Sequence, residues 1–193
     1  MTSPQPNRAL RAPADLAAAA ELSDEAKALL AADLSHRAFF QTLVDGGHHA
    51  DAVRYLAHAL PRREGVWWAW VTAKRVSGAE PPPKIAASLE ATERWIAQPT
   101  DANRRAAFEK AQEADVGTPA GCAGLAAFLA GESLAPPNVQ AVPPGEFDSA
   151  KAITGAIMLA AVAKEPEKAP EKFQAALQQG LEVVNKIKLW PQG

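Results

Sequence analysis

Apolar residues recur three and four positions apart through most of the chain, and no stretch shows the sustained apolar–polar alternation of a half-buried strand. The pattern predicts an all-α protein of roughly ten helices, arranged as an irregular bundle or as a short α-solenoid-like stack of antiparallel helix pairs. Capping residues set the boundaries. Ser23 precedes Asp24 and Glu25, two acids suited to the positive end of a helix dipole. Ser35 opens the next helix, which closes at Gly46–Gly47. A third runs from about His49 to Ala59, with Val53, Leu56, Ala57 and Leu60 on one stripe. Pro61, which has no amide hydrogen to donate, opens a fourth that stops at Gly78 before three prolines.

Helices follow over "KIAASLEATERWIAQ", after Thr100, and after Thr118–Pro119. Ser149 starts an apolar helix reaching about Lys164, and the last helix opens near Pro166 with a reset at Pro170. Residues 1–12 have Pro4, Pro6 and no apolar period, so they read as a flexible tail before a single domain, 13–193. Residues 131–148 hold four of the sixteen prolines and form the longest non-helical segment. We expect a structural strap over the bundle there, with a polyproline II segment offered to a partner as the alternative.

The helix after Pro61 carries "PRREGVWWAW", with three of the five tryptophans. On a helical projection Val66, Ala69, Trp70 and Ala73 share one face, Trp67 and Val71 a second, and Trp68 lies beyond them beside Arg75. So wide an apolar arc belongs to a central helix packed on several flanks. Each tryptophan buried there stabilises by about 4–6 kcal/mol before entropy is subtracted. Gly65 costs about 1 kcal/mol relative to alanine inside a helix, which a closely approaching neighbour would explain. The functional alternative is an aromatic cleft with Arg63 or Lys74 over a ring. Arg62, Arg63, Glu64, Trp67 and Trp68 are therefore the candidate binding residues, with the charged turn lining the mouth of the cleft.

Composition narrows the function. The formal net charge is -2 and the pI about 6.1, which gives no electrostatic footprint for nucleic acid or an anionic membrane. The basic pairs Arg62–Arg63, Lys74–Arg75 and Arg104–Arg105 read as solvated faces. Cys122 is the only cysteine, so no intrachain disulfide exists and a cytoplasmic location fits. The longest uncharged run, Ala152 to Ala163, is too short to span a bilayer, which takes about 20 apolar residues.

Motifs for chemistry are weak. "DGGHHAD" gathers Asp45, His48, His49 and Asp51, but adjacent histidines diverge on a helix, and His36 and His58 share no face with them. A loop-to-helix junction is expected rather than a metal site. "AGCAG" lacks the strand and first glycine of a nucleophile elbow, so Cys122 reads as a small core residue. Gly117, Gly121 and Gly124 are expected to let another helix approach. Glu109–Glu113 and Glu165–Glu167 read as charged helix surfaces. No catalytic residue, metal ligand or cofactor is nominated.

"DAVRYLAHALPRREGVWWAW", with "TPAGCAGLAAFLAGESLAPP" and "AITGAIMLAAV", resembles an uncharacterised bacterial all-helical family in which a run like "LPRREAVWWA" recurs. The resemblance covers roughly residues 14 to 164, with Gly65 standing where alanine is expected. It implies a helical fold and a bacterial origin, and no activity. The expected function is a non-enzymatic scaffold or adaptor binding another protein, as a monomer or weak homodimer without nucleic acid or membrane. The alternative is a small-ligand or peptide binder with a pocket near Trp67 and Trp68. A weaker third reading is an enzyme built on His49, Glu64 and Arg63.

Overall fold

Four hydroxyl residues begin four of the helices by taking up amide hydrogens that have no partner inside the helix. Ser23 Oγ accepts from the Ala26 amide, Ser35 Oγ from Ala38, Thr100 Oγ1 from Asn103 and Thr118 Oγ1 from Gly121. The computed structural model describes residues 11–191. Its helices are α1 (Pro13–Ala19), α2 (Asp24–Ala28), α3 (His36–Asp45), α4 (His49–Ala59), α5 (Arg62–Ser77), α6 (Pro83–Ala97), α7 (Asp101–Glu113), α8 (Pro119–Leu129), α9 (Asp148–Val162) and α10 (Ala169–Lys186). A 3-10 turn, Pro166–Lys168, leads into α10, and Pro170 sits in its first turn. No strand occurs among the described residues.

Most of the expected flexible tail, residues 1–10, lies outside the described residues. Arg11, in its last part, is held. Its guanidinium makes two bonds to the Glu146 carboxylate at 2.7 and 2.8 Å, and its carbonyl meets His36 Nε2 at 2.9 Å. Pro13 and Asp15 then favour the short helix α1, which comes before the first helix expected from the caps.

The helices form a bundle rather than a solenoid. In a solenoid each unit touches only its neighbours in sequence. Here α9 packs on α4, α5, α8 and α10, and α8 on α5, α6, α7 and α9. The tryptophan helix α5 is central, as its wide apolar arc requires. Trp68 is fully buried, and its indole donates to the Ala176 carbonyl of α10 at 2.7 Å. Trp70 donates to the Leu89 carbonyl of α6 at 2.9 Å. Carbonyls of two neighbouring helices thus satisfy both indoles. Gly65 faces α9, and a Cβ there would lie 2.6 Å from the Ile153 Cδ1 methyl.

The three glycines of the α8 region divide. Gly124 allows a helix to approach, since its Cβ would lie 2.9 Å from Ala111 Cβ and 3.0 Å from the Ala107 carbonyl of α7. Gly121 instead faces the carbonyl of Asp115 in the preceding turn, and Gly117 faces the Asp115 side chain, whose Oδ1 accepts its amide at 2.8 Å. Gly121→Ala pushes a methyl group into fixed backbone and is expected to cost about 2–3 kcal/mol in urea unfolding. Gly65→Ala displaces only the end of a side chain and regains helix propensity, so its change should stay within about 1 kcal/mol. Equal costs at the two positions would contradict this packing.

Candidate functional site

The charged turn of α5 is occupied by structural bonds. Arg62 is half-buried and donates to the carbonyls of Ala130 (3.3 Å), Gly131 (3.5 Å) and Glu146 (3.4 Å), spanning both ends of the Pro-rich loop. Burial lowers the pKa of its guanidinium, against the raising influence of Glu146 and Asp148. Arg63 donates to Ile96 at 2.7 Å and Ala97 at 3.5 Å, covering carbonyls at the end of α6. Glu64 stands half-exposed in the first turn. Trp67 is half-buried between two apolar clusters. Trp68 is sealed, with Leu56 and Gly180 against its ring region. Lys74 does lie over a ring, 4.6 Å from the Trp70 centroid, but one turn along the same helix. The five candidates share α5, with Trp68 buried and both arginines bonded to backbone carbonyls.

A residue read as solvated turns out to organise the loop. Arg104 is 3% exposed. It bonds Asp101 through Nε at 3.0 Å and also through Nη2, and donates to Phe128 O at 2.7 Å and Ser133 O at 2.8 Å. Its guanidinium lies 4.8 Å from the Phe128 ring centroid. Arg105 reaches Asp101 at 2.7 Å and the Ala135 carbonyl at 2.6 Å. Desolvation raises the Asp101 pKa, but the bonds and charges of Arg105 and Arg104 outweigh it and hold the carboxyl below the ordinary range. The loop closes on itself where Leu134 N donates to Val142 O at 2.7 Å. The strap is thus ordered by arginines beneath it. Its clue in the sequence was Asp101 set three and four residues ahead of two arginines, with Gly131 leaving no room for a Cβ beside Arg104.

Further along α7 lies a shallow groove of about 430 Å³, lined by Phe108, Gln112, Asp115, Val116 and Leu125. Phe108 stacks on Phe128 at 4.2 Å, which continues the groove wall towards the strap. Val116 is 39% exposed in a turn whose first residue, Asp115, has φ of 68°. The turn is pinned from below by the Cys122 thiol, which donates to the Val116 carbonyl at 3.2 Å. These residues were missed as a site. The available signal was a valine inside the otherwise polar turn "ADVGTP".

His36 and Asp51 are bonded within the fold. His36 Nε2 must carry hydrogen, since the Arg11 carbonyl only accepts, so Nδ1 accepts from the Tyr55 hydroxyl at 2.6 Å. The Trp190 ring stacks on it at 5.9 Å. Burial lowers the His36 pKa, with the bond to Arg11 opposing, and burial raises the Tyr55 phenol. Asp51 accepts from Ser23 N and Oγ, both at 2.9 Å, tying α4 to the start of α2. His48 and His49 sit at the junction into α4. Among the described residues no three His, Cys, Asp or Glu are grouped to hold a metal ion. Burial raises the Cys122 thiol, which leaves it a poor nucleophile near neutral pH.

The described residues thus define an all-α bundle with an arginine-held strap beside an apolar groove. The chain belongs to a family of unknown function, DUF6931, whose model matches residues 39–184. Neither a curated protein nor a solved structure matches the chain. The strap, its anchors Arg62, Arg104 and Arg105, and the groove all fall inside the matched span, whereas Arg11, His36 and Trp190 fall outside it.

Two outcomes follow. Arg104→Met removes a charged donor from the Phe128 and Ser133 carbonyls, leaves Phe128 O only the Gly131 amide, and should cost about 3 kcal/mol. Limited proteolysis should then cut between residues 133 and 145 under native conditions; an uncut, fully stable variant would refute the clamp. The neutral His36 has a folded pKa below the ordinary value of about 6.5. The unfolded chain therefore binds the proton more readily, and stability is complete above that value and declines as pH falls through the window beneath it. Urea titrations from neutral to mildly acidic pH should show this decline, and His36→Gln should flatten it.

Proposed function

We propose that the protein is a non-enzymatic helical adaptor that binds another protein, acting in the bacterial cytoplasm as a monomer or weak homodimer. The observation that carries this reading is the outer surface of α7, α8 and α9. The α8 helix has no charged residue, and α9 has none between Ala152 and Val162. A helix apolar on every side is normally enclosed. Yet Cys122, Leu125 and Leu129 of α8 and Met158 and Leu159 of α9 are only half-buried, and Val162 is 50% exposed. With Val116 and the groove beside Phe108 they give a surface of the type that marks partner binding.

The pKa shifts support a non-enzymatic role. His36 is engaged at both ring nitrogens, and Cys122 and Tyr55 are moved away from reactivity near neutral pH. Arg62, Arg63, Arg104 and Arg105 direct bonds to carbonyls rather than outward as a phosphate-binding surface, in keeping with a role apart from nucleic acid. Among the described residues no helix is long and apolar enough to cross a membrane. A lone cysteine fits a reducing compartment. The bacterial assignment rests on the family resemblance. A ligand pocket at Trp67 and Trp68 is not adopted, because Trp68 offers no edge to solvent.

A photo-crosslinking side chain such as p-benzoylphenylalanine, placed at position 116 in host cells, tests the reading. One specific protein adduct is expected there and none at the control position Gln178 on exposed α10. A copurifying metabolite with no protein adduct at position 116 would reverse it.

A further inference from the structure

We propose that the α7–α8 groove receives a peptide segment of its partner that presents apolar residues flanked by lysine or arginine. This rests on the adaptor reading and names the chemistry of what that surface takes. Phe108, Val116 and Leu125 supply apolar walls. Around them the charge is one-sided. Asp115 lines the groove, and Glu109 and Glu113 each follow a lining residue of α7, Phe108 and Gln112; the lysine of that stretch, Lys110, lies 2.6 Å from Glu113 and 3.6 Å from Glu109. The two arginines of α7 do not redress this. They sit at the opposite end of the helix and are held by Asp101 and by carbonyls of Phe128 and the strap.

The acids also stand at the wrong end of their helix. Glu113 is the last residue of α7 and Asp115 follows it, where the helix dipole is already negative. Carboxylates there weaken the isolated protein, and a cationic partner would remove that penalty. Lys110 registers the same field, since the hydrogen bond to Glu113 and the charges of both glutamates raise its pKa above the ordinary value. Val116 is held outward by a fixed turn. Asp115 takes the left-handed conformation, its carboxylate accepts the Gly117 amide, and its carbonyl covers Gly121. An apolar side chain kept in water by rigid backbone is a preorganised anchor, since docking onto it orders little further chain. A second copy is a poor occupant, because it would bring an identical acidic rim against this one.

The probe is a short fluorescein-labelled helical peptide with leucines on one face and lysines on the other, titrated by anisotropy against the full chain. Its control is the same peptide with glutamate for every lysine. The lysine peptide should bind and weaken with added salt, and the glutamate peptide should not bind. Glu109→Lys with Glu113→Lys, and separately Val116→Asp, should each weaken binding about five- to tenfold while circular dichroism stays unchanged. Equal binding of the two peptides, no binding of the lysine peptide, or binding indifferent to both variants would overturn the proposal. So would a concentration-dependent dimer that Val116→Asp dissolves. A protein crosslinked at position 116 through an acidic segment would defeat this inference and leave the adaptor reading standing. Absence of any crosslinked protein would defeat the adaptor reading itself.

Discussion

A helix with alanine or glycine at most of its inward positions can be approached to backbone distance from several sides, and α8 is such a helix. Ala120, Ala123, Ala126 and Ala127 are all buried, and Gly124 lets α7 come close enough that a methyl group would strike the Ala107 carbonyl. Short side chains bring four neighbouring helices around α8, and dispersion between closely spaced backbones replaces the interlocking of large side chains. The arrangement has a consequence at the surface. Of the larger apolar residues of α8, Phe128 is buried, whereas Leu125 and Leu129 pack on the core from its edge and stay half-exposed. The apolar outer face and the floor of the groove follow from how the core is built.

The same tight core leaves the Pro-rich segment on the outside, where its carbonyls must find donors. Prolines cannot donate, so the segment has few amides with which to form its own ladder. Arginine side chains supply what is missing. Arg62 links the two ends of the strap, while Arg104 and Arg105 bind its first half. Arg104 is the best compensated, with a carboxylate, two carbonyls and an aromatic face around one planar cation. Arg62 is less so: its three bonds are long, and burial depresses its pKa. The strap is therefore held at Ser133–Ala135 by Arg104 and Arg105, and at its return to α9 by Arg62, by Arg11 on Glu146 and by the Gly145 amide on Asp148.

Local signals were legible in the sequence, and tertiary ones were less so. Ser23, Ser35, Thr100 and Thr118 act within three residues of themselves, and each begins a helix as its side chain predicts. The tryptophan hub was legible too, because the width of an apolar arc is a property of one helix. Arg104 was not. Its partners at Phe128 and Ser133 come from the following helix and its loop, and the one local clue, Asp101 three residues ahead, would suit a solvated arginine equally well. Gly121 and Gly124 make the same point from the other side. The two letters are identical and three residues apart, yet one faces its own preceding turn and the other a neighbouring helix. The groove was hidden because Phe108, Val116 and Leu125 belong to three different segments.

Helix α7 unites these features. Its N-terminal half carries Asp101, Arg104 and Arg105, whose bonds are directed at one another and at the strap. Its C-terminal half carries Glu109, Glu113 and, just beyond, Asp115, with one lysine among them. A helix optimised for its own stability would place these charges the other way round, acids at the start and bases at the end. Asp101 and Lys110 follow that rule, Asp101 where its charge holds two arginines. The reversed end borders the apolar residues exposed by the tight packing of α8. An electrostatic penalty and a hydrophobic one thus coincide at Val116, and a single partner carrying both cationic and apolar groups would relieve both.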